Sequence, residues 1–312
     1  FVTASIGGSF HPLDANSAEH LLRHADLAMY QAKQHGNRIC LFEPSLHVAA
    51  REKMRIEHLL RRGLERNEFE LHYQPQVSLA TGEVQSIEAL LRWRNPVTEE
   101  PVSPDKLVAQ AERTGLMDQL GRWIVDTGIG QIAAWGDQLP DGVRLSLNLS
   151  AVQLASSDFV PGVLASLARA NVAPDRIELE ITESTALARD IHAVESLKRL
   201  RGQGIRIVLD DFGRGFASLA LLRELPLDAV KIDAAFLKQI ASEPKHRAIL
   251  RSVIELAHAL ELGVVAEGVE RPDQGDTLRE LGCDSVQGYL ITPPVPAARV
   301  PELLGFANRR LA

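Results

Sequence analysis

A chain of 312 residues has room for one large domain and an attachment, and its net charge of -7 offers no basic field to hold a nucleic-acid polymer. Its two cysteines, Cys40 and Cys283, are too few and too far apart for a disulfide framework, which suits a reducing compartment. No apolar run approaches the ~20 residues of a membrane span and no charged-then-apolar signal segment opens the chain, so a soluble, cytoplasmic protein is expected.

The opening run Phe1-Val-Thr-Ala-Ser-Ile6 starts in mid-strand without an initiator Met. A longer protein is therefore expected, with upstream sensor domains and room there for a membrane anchor. Residues 1–44 read as a strand (1–9), an amphipathic helix (17–35) stopped by Gly36-Asn37, and a strand (38–43), which is half a domain at most. Residues 45–66 carry Met54, Ile56, Leu59, Leu60 and Leu64 at helical spacing, the mark of a linking helix with one apolar stripe.

From Glu68 onward, eight strand-like segments follow: 69–77, 83–91, 143–150, 177–183, 205–211, 229–233, 263–267 and 284–289. Eight is the number that closes a (β/α)8 barrel. Only Ser78-Leu-Ala-Thr-Gly82 separates the first two, too little for a parallel crossover, so that pair is expected to be antiparallel. Helical stretches near 104–113, 117–137, 159–171, 190–203, 216–224, 244–261 and 272–281 supply an outer layer. The expected fold is α/β: a TIM-type barrel over residues 67–308 with its first strand antiparallel, preceded by a small α+β segment. The alternative, a doubly wound open sheet, wants a Gly-rich phosphate turn after its first parallel strand, and the sequence has none.

Strand alternation aims the polar residues. Ile177, Leu179 and Ile181 share one face, so Glu180 takes the other; Asp210 stands opposite Ile205, Ile207 and Leu209; Asn148 stands opposite Leu145, Leu147 and Leu149; and Lys231 opposes Val230 and Ile232. With the aliphatics against helices, these groups face inward at strand C-termini, where a (β/α)8 barrel keeps its chemistry. Glu88, Glu180, Asp210, Asp211 and Glu267 then put five carboxylates round one rim, with Lys231 and Arg92 as the nearby cations. Such a cluster repels itself unless cations join it, and all-oxygen ligands with an Asn carbonyl favour Mg²⁺ or Mn²⁺ over zinc. A pair of ions suits phosphodiester hydrolysis. The ten histidines form no zinc-site pattern near these strand ends, and Trp93, Trp123 and Trp135 read as core.

Tyr73-Gln-Pro75, Glu88-Ala-Leu90, Asn148-Leu-Ser150, Glu180-Ile-Thr-Glu183, Asp210-Asp-Phe-Gly213, Lys231-Ile-Asp233, Glu267-Gly-Val-Glu270 and Gln287-Gly-Tyr289 follow one another along the chain. With these motifs in order, and Glu88-Ala-Leu90 as the naming motif, residues 68–306 resemble the EAL-domain cyclic di-GMP phosphodiesterases. The resemblance implies hydrolysis of cyclic di-GMP to linear 5′-pGpG with two ions of Mg²⁺ or Mn²⁺ held by Glu88, Asn148, Glu180, Asp210 and Asp211. It implies Glu267 as general base or second-metal ligand, Lys231 at the attacking water and Gln287 holding water or metal. Gln74 and Arg92 would contact substrate, Glu183 and Glu270 would support the site, and a homodimer is implied.

Past Asp211 this sequence departs from the family's usual Asp-Phe-Gly-Thr-Gly-Tyr-Ser-Ser, with Arg214, Phe216 and Ala217 in a loop whose Gly213 and Gly215 permit hinge motion. Residues 1–44 resemble the end of a GGDEF diguanylate cyclase domain, through Val2-Thr-Ala-Ser-Ile-Gly7, Ala25-Asp-Leu-Ala-Met-Tyr30, Ala32-Lys33 and Phe42-Glu-Pro44. Two rivals to the enzyme are a non-catalytic cyclic di-GMP receptor and a Schiff-base aldolase on Lys231. The first fits less well because no acidic ligand is missing; the second, because the acidic ring would keep the lysine protonated.

Overall fold

The computed structural model describes residues 4–304 apart from 36, 94–102, 188–190, 214–218, 238–239 and 241–242. The chain divides into two compact units, Phe1–Arg66 with Asp105–Thr114, and Asn67–Pro104 with Gly115–Ala312.

In the first unit, β1 (Ile6–Gly8) and β2 (Ile39–Leu41) pair in parallel and are joined by helix α1 (Ala18–His35), the crossover that parallel neighbours need. Ala28, Ala32 and Phe42 are buried, and Phe42 stacks on His24 with ring centroids 3.9 Å apart. Helix α2 (Pro44–Glu65) takes its Pro at the first turn, where the missing N–H costs nothing, and buries Ile56, Leu59 and Leu60. Met54, expected in the same stripe, is 73% exposed instead. Two positions before Ile56 is about 200° round a helix, so Met54 falls on the opposite side. Helix α3 (Pro104–Thr114), grouped here from residue 105, buries Leu107, Gln110 and Ala111.

The second unit is the barrel. Its strands are β3 (Phe69–Ser78), β4 (Val84–Trp93), β5 (Arg144–Leu149), β6 (Ile177–Thr182), β7 (Arg206–Phe212), β8 (Ala229–Ile232), β9 (Gly263–Ala266) and β10 (Ser285–Val286), neighbours in that order. β3 runs antiparallel to β4 and also to β10, which closes the ring; every other junction is parallel. A two-residue strand not expected from the pattern, β11 (Val295–Pro296), adds to β3 at Tyr73 and His72. The last barrel strand is shorter than expected. After Val286 the chain leaves the ladder and is held by Val269, whose N–H donates to the Gln287 carbonyl and whose own carbonyl accepts from Leu290.

Helices α4 (Met117–Trp135), α6 (Phe159–Ala170), α8 (Ile191–Gly202), α9 (Leu219–Glu224), α10 (Pro244–Ala259) and α11 (Pro272–Glu280) follow the expected segments. Two short helices, α5 (Ala151–Ala155) and α7 (Glu183–Leu187), start directly after β5 and β6. The aliphatics of the parallel strands face these helices: Leu145, Leu147, Ile177, Leu179, Ile181, Ile207 and Leu209 are all buried. At Gly128 of α4 a Cβ would come within 2.8 Å of the Leu147 side chain, so glycine permits the close approach of that helix to β5.

The interior, by contrast, is polar. Gln76, Ser86, Ser146, Glu178 and Ser285 are buried where barrels of this kind usually layer branched aliphatics. Buried polar groups must be paired, and the Gln76, Ser86, Ser146 and Glu178 side chains are. The Glu178 carboxylate accepts from Ser146 Oγ at 2.9 Å and Arg144 Nε at 2.6 Å, and it forms an ion pair with Arg206, whose Nε lies 3.1 Å away. Among the described residues no helix is long and apolar enough to cross a membrane.

Candidate active site

Strand alternation delivers Glu88 from β4, Asn148 from β5, Glu180 from β6, Asp210 from β7 and Lys231 from β8 to the same end of the barrel. Lys231 is fully buried and sits among them: its Nζ is 2.6 Å from Glu267 Oε1, 2.8 Å from Glu180 Oε2, 3.1 Å from Glu88 Oε2 and 3.8 Å from Asp210 Oδ1. Burial opposes the lysine's charge, but Asp210, Glu180, Glu267 and Glu88 outweigh it and hold the ammonium well above its ordinary range. One cation thus faces four carboxylates.

The carboxylates respond unequally. Burial alone would raise Glu88, but Lys231 and donated hydrogen bonds from Gln287 and Asn148 hold it below its usual value. Glu180 goes the other way, pushed well up by burial and by Glu88, only partly countered by Lys231. Glu267 is raised from 4.5 to about 8, chiefly by burial and against the pull of Lys231. In the absence of other cations Glu267 therefore holds a proton at neutral pH.

Amides fix the carboxylates in place. Asn148 Nδ2 donates to Glu88 Oε1 at 2.7 Å, and Gln287 Nε2 donates to Glu88 Oε2 at 2.6 Å and to Gln74 Oε1 at 2.9 Å. Gln74 Nε2 in turn donates to the Thr292 carbonyl at 2.9 Å. The chain of donors ties Glu88 to the segment that closes the barrel. At the end of β5, Ser150 and Gln153 form a capping box that starts α5, which ends the strand one residue after Asn148.

Asp211 reaches the site by a route that alternation does not predict. A regular strand would turn it away from Asp210. Instead the β7–β8 register shifts between Leu209 and Phe212, and Asp211 adopts a left-handed φ of 56°, with its N–H donating to Asp210 Oδ1 at 2.7 Å. Ligand oxygens of Asp210, Asp211 and Glu267 consequently lie within 4.8 Å of one another. Gly213 follows with φ 94°, and a Cβ there would meet the Phe236 ring at 2.3 Å, so packing as well as hinge freedom explains the glycine. Gly215, Arg214, Phe216 and Ala217 fall outside the described residues.

The donor set is all oxygen on its acidic members, with surplus negative charge and three carboxylate groups close together. It fits a hard divalent cation, which would replace the proton held by Glu267. Glu88, Asn148, Glu180, Asp210, Asp211 and Glu267 are the residues able to hold it.

Arg92 is half-buried on β4, its guanidinium lowered by burial and supported by Tyr289, Glu88 and Glu70. Glu183, expected off the inward face, is buried as the first residue of α7, whereas Glu270 is exposed and its backbone N–H donates to Gln274. Two interior residues escaped the sequence reading. Gln76 donates to Glu180 Oε1 at 3.4 Å, and Ser86 Oγ donates to Gln76 Oε1 at 2.7 Å. Both share strand parity with Gln74 and Glu88, which was the available signal. Cys283 is raised to about 12 by burial, which makes it an inert thiol.

A model of the EAL domain family matches residues 57–294. The bifunctional diguanylate cyclase/cyclic di-GMP phosphodiesterase MucR of Pseudomonas aeruginosa is 38% identical over 300 residues, covering 96% of this chain and 44% of that protein. The cyclic di-GMP phosphodiesterase NbdA of the same organism is 39% identical over 304 residues, covering 97% of this chain and 39% of NbdA. This chain thus spans less than half the length of either relative. A solved structure of the PaMucR phosphodiesterase in its c-di-GMP complex superposes with a TM-score of 0.74 at 38% identity, covering 79% of this chain and 99% of that one.

Proposed function

Because this chain belongs to the EAL-domain family, we propose that it hydrolyses cyclic di-GMP to linear 5′-pGpG with two ions of Mg²⁺ or Mn²⁺. The observation that carries the reading is the charge imbalance at the rim, one buried lysine among four carboxylates, in a donor set suited to hard cations. Glu88, Asn148, Glu180, Asp210 and Asp211 hold the ions. When bound, the cations lower the pKa of water and offset charge on the transferring phosphoryl group.

The residues of the chain then divide the remaining work. Glu267 serves as general base, taking a proton from the attacking water, and its distance of 2.6 Å from Lys231 supports that pairing. Lys231 orients the water by donating to it. The water oxygen adds to phosphorus, the bond from phosphorus to one ribose 3′-oxygen breaks, and that oxygen leaves as a hydroxyl after protonation. Arg92 meets a substrate phosphate, where a bidentate guanidinium suits two oxygens. Gln74 contacts substrate, Gln287 fixes Glu88 and a water, and Glu183 and Glu270 support the loops around the site.

At the level of the whole protein, residues 1–44 are the closing segment of a GGDEF domain, residues 45–66 a linking helix and residues 67–308 the barrel. The barrel works as a homodimer in the cytoplasm under upstream sensor domains. Chromatography of cyclic di-GMP incubated with the protein and Mg²⁺ or Mn²⁺, beside Glu88→Ala and a chelator control, tests the reading. Product 5′-pGpG in the metal-containing wild type alone is expected. Cyclic di-GMP that binds but stays intact would make the domain a receptor.

A further inference from the structure

Glu180 is the most deeply buried carboxylate of the cluster, and its two oxygens have different partners. Oε2 takes the Lys231 ammonium at 2.8 Å; Oε1 takes Gln76 Nε2 at 3.4 Å, the long end of the hydrogen-bond range. An amide can present either end to a neighbour, so what matters is what fixes it. Ser86 lies directly across the β3–β4 ladder from Gln76 and donates its hydroxyl to Gln76 Oε1 at 2.7 Å. With Oε1 held there, Nε2 must face Glu180. Both side chains are almost wholly buried, so no bulk water competes for either contact.

We propose that the Gln76–Ser86 pair is a positioning device for the metal site: Ser86 sets the direction of the Gln76 amide, and the amide sets the carboxylate plane of Glu180. If Ser86 lost its hydroxyl, the amide would be free to turn its oxygen toward Glu180, an acceptor against an acceptor. Groups that orient a ligand from behind change metal affinity by about 10- to 100-fold when removed. Neither residue touches the reacting atoms. The inference rests on the metal-site reading above, since without bound cations the orientation of Glu180 has nothing to act on.

The test is calorimetric titration of Mn²⁺ into chelator-stripped wild type, Gln76→Met, Ser86→Ala and the double variant, with the melting temperature of each taken without metal. Gln76→Met and Ser86→Ala are each expected to weaken Mn²⁺ binding by about 10-fold or more while melting within a few degrees of wild type. Ser86→Ala is expected to add nothing in the Gln76→Met background, because Ser86 acts through the amide. Wild-type binding with unchanged affinity in both single variants, or a full additional loss in the double variant, would overturn the positioning role. A wild type that binds no Mn²⁺ would instead overturn the metal-site reading itself.

Discussion

The barrel encloses two ionic clusters that differ in one respect. In the lower one, Glu178 alone receives Arg144, Arg206 and the Ser146 hydroxyl, so cations outnumber the carboxylate. In the upper one, Lys231 alone serves Glu88, Glu180, Asp210 and Glu267, so carboxylates outnumber the cation. Both are buried, both are hydrogen-bonded, and both would look alike in a count of interior polar residues. Only the second leaves negative charge that the protein itself does not neutralise. Surplus unlike burial is therefore what separates a site waiting for cations from a structural plug.

The comparison breaks most severely at Lys231. Lys231→Met removes the ammonium that lies within 4 Å of four carboxylates, and loss of one partner of a buried ion pair costs about 3–5 kcal/mol. Thermal denaturation of metal-free Lys231→Met is expected to show that loss, with added Mn²⁺ recovering a larger share of stability than it adds to wild type. Equal gains in the two proteins would mean that the lysine and the cations do not answer the same charge.

A smaller effect is expected at the lower cluster. Glu178→Gln leaves two partly exposed arginines without their acid and should cost about 1–3 kcal/mol in unfolding experiments. Turnover and Mn²⁺ affinity should stay at wild-type values, because the surplus lies elsewhere. A lost turnover at unchanged stability would place Glu178 in the chemistry and erase the distinction.

Acidity provides the mildest perturbation. Glu267 is raised from 4.5 to about 8 in the metal-free fold, so the folded state binds a proton that the unfolded state releases. Its contribution to stability is complete below 4.5 and is lost as pH rises through about 8. Metal binding, which requires ionised carboxylates, must expel that proton and so strengthens as pH approaches the same value. The melting temperature of chelated protein is expected to fall between pH 5 and about 8, with the gap to the metal-loaded protein widening. A gap that narrows as pH rises would contradict the assignment.

How much of this was legible beforehand follows from strand geometry. Period-two alternation placed Asn148, Glu180, Asp210 and Lys231 on one face because each sits in a strand with aliphatics opposite. The short link between β3 and β4 gave the antiparallel pair for the same local reason. Asp211 needed the register shift and left-handed backbone of β7, which no alternation rule contains; the sequence offers it at the rim only through its adjacency to Asp210. Glu178, Arg144, Arg206, Gln76 and Ser86 had the right parity all along. They were passed over because a polar residue in mid-strand, unlike one at a strand end, carries no expectation of chemistry. The closing contact of β11 with β3 joins residues more than 200 positions apart and is set by packing that local pattern does not report.

The most direct test is anomalous diffraction from crystals of the protein grown with Mn²⁺. Manganese peaks are expected among Glu88, Asn148, Glu180, Asp210 and Asp211, and none beside Glu178. A peak at Glu178, or a rim with all its carboxylates ordered and no manganese among them, would contradict the view that unneutralised charge marks the site.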